Sequence, residues 1–206
     1  NILLITTDQQ RGDCLGLENS SLLTPNLDYL ARSGAHFRRG YSECPSCFPS
    51  RRTLMTGMAP AAQGMVGMRS APWEPPFTLA GELTRAGYQS QLVGKLHLGE
   101  PGRRFGFEHM VHSDGPYVPE DAYGRWLQRT HGRQEIEGGT AHGVDVNGWV
   151  GRPSHLPEDQ THTYWCISQA LEFLHYQRDA RHPFSSTFPS LTPIHRWPHR
   201  ATTTNA

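Results

Sequence analysis

The sequence predicts an α/β fold, a mostly parallel sheet with helices on both faces. Two observations carry that reading. The apolar, β-branched run Asn1–Thr7 and the strand segment Tyr88–Val93 alternate with segments bearing the start and stop signals of helices. The connections between them are also short, as in strand–helix–strand units of a parallel sheet.

Taken in order, Asn1–Thr7 reads as a strand buried on both faces, with Asp8 and Gln9 at its C-terminal end. Ligands of open α/β sheets sit at that end, which makes Asp8 a candidate metal ligand as well as a candidate turn residue. Thr24-Pro25 opens a helix as N-cap and first helical residue, Leu27, Leu30 and Ala31 share a face, and Gly34 closes it. Ala35–Tyr41 is read as a short strand. A second helix runs to Thr56-Gly57, Gly64–Gly67 is loop, and Trp73–Phe77 is proline-rich loop. Thr78 caps a third helix with Leu79, Leu83 and Ala86 inward, and the strand Tyr88–Val93 delivers Gly94-Lys95-Leu96-His97 at its C-terminal end. Residues 103–150 are glycine-rich with weak periodicity and read as excursions from the sheet that shape a pocket. Thr161–Arg178 predicts an amphipathic helix with Tyr164, Ile167, Ala170, Leu171 and Leu174 on one side. Beyond Pro183 the pattern is lost, and no strand is expected.

The chain has 206 residues, enough for one ordinary domain with its own core. Its formal net charge is zero, so no nucleic-acid partner is expected on electrostatic grounds. No apolar run reaches membrane-spanning length. The start lacks a basic n-region and a cleavage site, and reads as a strand that begins abruptly, as though upstream residues were missing. Localisation stays open. The four cysteines, at 14, 44, 47 and 166, are too sparse for a disulfide scaffold. Cys44 and Cys47 form a C-x-x-C pair, but zinc would want a second close pair, and thioredoxin-like chemistry a strand directly before it. Lys95 is the only lysine among 19 basic residues. Arginine does not replace a compact point charge at a tight site, which singles Lys95 out.

The densest chemistry lies in Cys47-Phe48-Pro49-Ser50-Arg51-Arg52. Pro49 suits a helix start and Ser50 a cap, which would leave Cys47 just outside a helix N-terminus beside two guanidinium groups. Such a place stabilises an anion, a thiolate included. A buried structural cysteine beside an ordinary helix cap is the alternative reading.

Together these segments resemble the sulfatase family of the alkaline-phosphatase-like superfamily. Cys47-Phe48-Pro49-Ser50-Arg51 matches the C-x-P-S-R signature, continued by Leu54-Met55-Thr56-Gly57, and Gly94-Lys95-Leu96-His97 matches G-K-x-H after a strand. Thr24-Pro25-Asn26-Leu27-Asp28 and Asn1–Ile5 stand where the family has a T-P-N-L-D helix and a first strand. The resemblance implies that a formylglycine-generating enzyme oxidises Cys47 to formylglycine, whose hydrate attacks the sulfur of a small-molecule or saccharide sulfate ester and expels the alcohol. The second hydroxyl then releases sulfate and restores the aldehyde. It further implies a divalent metal, calcium first with manganese or magnesium as alternatives, held by Asp8, Gln9 and residue 47. Arg51 would steady the diol, and Lys95 and His97 would bind sulfate and assist the leaving group.

Two departures qualify the match. Many sulfatases have two consecutive aspartates where this chain has Asp8-Gln9. Asp-Gln occurs in choline-sulfatase-like and phosphonate-monoester-hydrolase-like members, so phosphonate or phosphate ester hydrolysis is the alternative activity. The family also takes an Asp with a His or Asn, and a further lysine, from later positions that have no match here. An inactive truncated remnant is therefore the third reading. Residues 1–184 read as the N-terminal part of a catalytic domain, and 185–206 as an aberrant tail. Back-translating the tail with plausible codons and restoring one lost base near Phe184 gives FFLHLSFPHPHPPL, the apolar strand and proline–histidine run that the family has there. His195 is set aside as a site residue for that reason.

Overall fold

The computed structural model describes residues 1–8, 10–68, 72–100, 102–115, 120–132 and 154–191. Four parallel strands form one sheet in the order β1-β4-β2-β3: β1 Ile2–Thr7, β2 Gln89–Gly94, β3 His109–His112 and β4 Phe184–Leu191. The helices are α1 Pro25–Ser33, α2 Cys47–Thr56, α3 Leu79–Arg85, α4 Ala122–His131 and α5 His162–Glu172, the last running on into one π-helical turn, Phe173–Gln177.

Consecutive strand residues face opposite sides, and β2 uses this to build two cores. Leu92 packs with Met55 of α2, Ala80 of α3, Trp73, Leu96, Leu98, Phe105 and Phe107 on one face. Val93 packs with Tyr123 and Leu127 of α4, Trp165, Cys166 and Ala170 of α5, Leu156 and Phe188 of β4 on the other. The expected layers, helices on both faces of a parallel sheet, are therefore present.

Several local expectations are corrected. Ala35–Tyr41 forms no strand. The stretch read as excursions contains β3 and α4, while residues 133–153 lie outside the described ones. β1 is not buried on both faces: it lies at the sheet edge among the described residues, and Leu3 and Ile5 are about half exposed (49% and 53%). α1 buries none of its residues, so Leu27 and Leu30 point outward. Thr24 does precede α1, but its hydroxyl donates to Asp28 Oδ1 at 2.7 Å and accepts from the Gly16 amide, so it ties the loop at Gly16 to α1 instead of capping. Thr78 caps α3 as expected through the Gly81 amide, yet the residue α3 buries is Ala80.

α5 buries a different stripe from the predicted one, with Ala170 common to both. The buried stripe is His162, Trp165, Cys166, Ala170 and, in the π turn, Phe173, while Tyr164, Ile167 and Leu171 are exposed. Both stripes are apolar at helical spacing, and the one with the larger aromatic residues takes the sheet.

Phe184–Leu191, expected to have no strand character, is the strand that joins β1 to β2. Ile2 pairs with Ser185 and Ile5 with Phe188 on one side, and Gln89 pairs with Phe184 and Leu92 with Thr187 on the other. A backbone ladder is indifferent to side chains, so the polar residues do not prevent it. Ser185, Ser186 and Thr187 are buried where a central parallel strand ordinarily carries Val, Ile or Leu.

Candidate active site

The site forms at the C-terminal ends of β1 and β2, on either side of the end of β4. Asp8 follows β1, and Lys95 and His97 follow β2. α2 supplies the third side. Its first residue is Cys47, two positions earlier than the predicted start, with Ser46 as extended N-cap residue and the Ser50 amide bonded to the Ser46 carbonyl at 3.0 Å. Pro49 in the first turn has no N–H to satisfy, which is why it is tolerated there. Cys47 and Arg51 are four residues apart and so share a face. Gly57 ends the helix in the left-handed conformation, bonding the Thr53 carbonyl.

Lys95 Nζ sits 2.7 Å from Asp8 Oδ2 and 3.8 Å from Cys47 Sγ. Arg51 reaches Asp8 Oδ2 at 3.7 Å and donates to the Lys95 carbonyl at 2.9 Å, which locks α2 to the end of β2. The side chains of Asp8, Arg51 and Lys95 are all largely buried. Burial pushes the Asp8 carboxyl up, but the hydrogen bond and charge of Lys95, with Arg51 and His97, outweigh it and leave Asp8 below its ordinary value. Burial lowers Arg51 despite Asp8. His97 is lowered by burial first and then by the charge of Lys95, which favours a neutral imidazole. Arg52, paired with Arg51 in the sequence reading, points elsewhere. It is buried, donates to the Leu98 carbonyl at 2.9 Å and stacks over Trp73 at 4.9 Å.

Sequence reasoning missed two residues here. Asp114 Oδ1 accepts from the His97 amide at 3.0 Å and bonds His112 Nε2 at 2.9 Å. Both line a cavity of about 190 Å³ with Phe48, His97 and Glu100. They sit where β3 ends, inside the segment read as loop, so the strand-end rule that found Asp8 and Lys95 had nothing to act on.

Asp8, Cys47, Arg51 and Lys95 are thus brought together, with His97 against Phe48 at the same helix start (ring centroids 4.1 Å apart). Gln9 lies outside the described residues. Cys44 is buried, and all four cysteines are free, so the C-x-x-C pair forms no disulfide. Calcium takes about six to eight oxygen ligands. Among the described residues no group of three or more His, Cys, Asp or Glu is arranged to hold a metal ion, and Asp8 carries Lys95 and Arg51. These residues do not by themselves fit a complete metal shell.

Fold and geometry together bring Asp8, Cys47, Arg51 and Lys95 to the strand ends of an α/β sheet. The sulfatase family model matches residues 1–127, more than half of the chain, and the chain belongs to the sulfatase family. It is 33% identical over 204 residues to an arylsulfatase of Clostridium perfringens, covering 89% of this chain and 41% of that protein. It is 34% identical over 115 residues to the choline-sulfatase of Rhizobium meliloti, covering 55% of this chain and 22% of that one. The phosphonate monoester hydrolase of Agrobacterium radiobacter superposes with a TM-score of 0.72 over 97% of this chain and 42% of that one, at 24% identity, a likeness of fold. The chain therefore spans well under half the length of these relatives. No helix among the described residues is long and apolar enough to cross a membrane.

Proposed function

We propose that this chain carries the nucleophile half of a sulfuric ester hydrolase site, with Cys47 as the precursor of formylglycine and a formylglycine-generating enzyme as its modifying partner. The observation that carries the reading is the convergence of Cys47, Lys95, Asp8 and Arg51 from two strand ends and one helix start. Oxidised and hydrated, residue 47 supplies a nucleophilic hydroxyl. Arg51 steadies the hydrated residue 47, and Lys95 neutralises the oxygens of a sulfate group placed before the α2 N-terminus, whose free N–H groups add donors. Neutral His97 accepts the proton that the attacking hydroxyl of residue 47 releases and passes it to the departing ester oxygen. A divalent cation, calcium first and manganese or magnesium as alternatives, would neutralise sulfate charge when bound. On this reading Asp8, Gln9 and residue 47 are its ligands from this chain, completed by groups the chain does not match. The substrate is a small-molecule or saccharide sulfate ester.

A second reading rests on Asp8-Gln9 in place of paired aspartates, a pair shared by choline-sulfatase-like and phosphonate-monoester-hydrolase-like members, which keeps phosphonate or phosphate esters as the alternative substrates. A third reading is a non-catalytic anion-binding domain, whose residues would hold a sulfate group without turning an ester over. Residues 1–184 stand on this proposal as part of a catalytic domain, and 185–206 as a frameshifted tail. The buried serines of β4 support the tail's origin, and an intact reading frame in the nucleotide sequence would refute it.

Mass spectrometry of the tryptic peptide Gly40–Arg51, after coexpression with a formylglycine-generating enzyme, tests the nucleophile. Loss of the thiol and gain of an aldehyde are expected, and an unmodified cysteine counts against the proposal. A panel of sulfate, phosphate and phosphonate esters with added calcium, and Cys47→Ala as control, separates the three readings.

A further inference from the structure

We propose that Asp114 is the positioning residue of His97, fixing the imidazole over the start of α2. The inference rests on the reading of His97 as part of the anion site. His97 is one of two described non-glycine residues with positive φ, at 50°, a conformation that L residues adopt uncommonly. Asp114 holds it there, because its Oδ1 takes the His97 amide at 3.0 Å. No hydrogen bond holds His97 Nδ1, which is buried, and the ring's described aromatic contact is Phe48, next to Cys47. The place of the imidazole therefore follows from the backbone at 97 together with its packing on Phe48.

Asp114 is itself built in from two directions. Its Oδ1 also bonds His112 Nε2 at 2.9 Å. The adjacent Ser113 extends the β2–β3 ladder by donating its amide to the Gly94 carbonyl at 3.1 Å, and its hydroxyl is held in the core by Asp121 at 2.5 Å and His162 at 2.9 Å. The end of β3 is thus pinned, and with it the carboxylate that shapes residue 97.

Amide hydrogen exchange at His97 in Asp114→Ala and Asp114→Asn tests this. Asparagine keeps the acceptor oxygen and loses only the charge. In Asp114→Ala, exchange at His97 should accelerate about tenfold while Leu92 and Val111 stay protected, and asparagine should restore most of the protection. Unchanged exchange in the alanine variant, or equal loss in both, overturns the proposal. If alanine prevents folding, Asp114→Glu, which displaces the carboxylate by one methylene, should show the same local loss, and unchanged exchange there is equally fatal. Titrating the His97 ring signal with inorganic sulfate adds a second readout. Affinity should fall about tenfold in Asp114→Ala and recover in Asp114→Asn. A wild-type chain with no sulfate response overturns the functional reading of the site, whereas the exchange data still decide the positioning role.

Discussion

His162 is fully buried beneath the site, and proton counting places a proton on its Nε2. Ser113 has one hydroxyl proton and two close partners, Asp121 Oδ2 at 2.5 Å and His162 Nε2 at 2.9 Å. Given to the carboxylate, that proton leaves Ser113 Oγ to accept from His162 Nε2–H, and burial favours the neutral ring. Burial, with the charge of Lys95 second, pushes His162 down to about 4 from 6.5. The unfolded chain takes up this proton below pH 6.5 and the folded one only near pH 4. Stability from this residue is therefore full above pH 6.5 and falls away as the pH drops toward 4, by about 3 kcal/mol at most. Thermal melts from pH 7 to 4.5 should show a steeper loss in wild type than in His162→Gln; parallel curves would refute the assignment. At this scale the sequence was informative where chemistry is concentrated in few residue types. Lys95 stood out as a lone lysine, and Cys47 and Arg51 within one signature. Asp114 and His112 are ordinary residues in a glycine-rich stretch, and only their place beside His97 gives them meaning.

Elements were legible as to existence and less so as to orientation. α5 carries two apolar stripes at helical spacing, and periodicity alone does not rank them. Trp165→Ala should cost about 3–5 kcal/mol in chemical denaturation, since it opens a cavity against Tyr123 and His162. Ile167→Ser, on the exposed stripe, should stay within about 0.5 kcal/mol. The reverse result would restore the predicted face. A sharper constraint lies where α3 meets the loop before β3. A Cβ on Gly106 would come within 2.5 Å of the Gly81 amide nitrogen and 2.6 Å of its Cα, and Gly106 has φ +95°. Gly106→Ala should therefore destabilise by about 2 kcal/mol or more, read as a fall in Tm. An unchanged Tm would mean the two backbones do not approach so closely.

For the whole molecule, alternation of strand and helix revealed the class of fold but not the order of strands. Order depends on pairings between residues nearly two hundred positions apart, which local pattern does not encode. The polar make-up of Ser185-Ser186-Thr187 also hid a central strand. Ser186 Oγ is buried with no hydrogen-bond partner, so its desolvation is uncompensated. Ser186→Ala should raise stability by about 1 kcal/mol, measured by denaturant midpoint; a loss would point to a hidden partner for the hydroxyl.

The place of β4 also sets the order of assembly. β1 and β2 do not pair with each other, and each is hydrogen-bonded to β4, so Ile2 waits for Ser185 and Gln89 for Phe184. Asp8 and Lys95 face one another across a strand that is synthesised almost last among the described residues. Loops of that length close slowly, and a sheet of such contact order folds late. Until β4 arrives, the two halves of the site belong to separate pieces of chain.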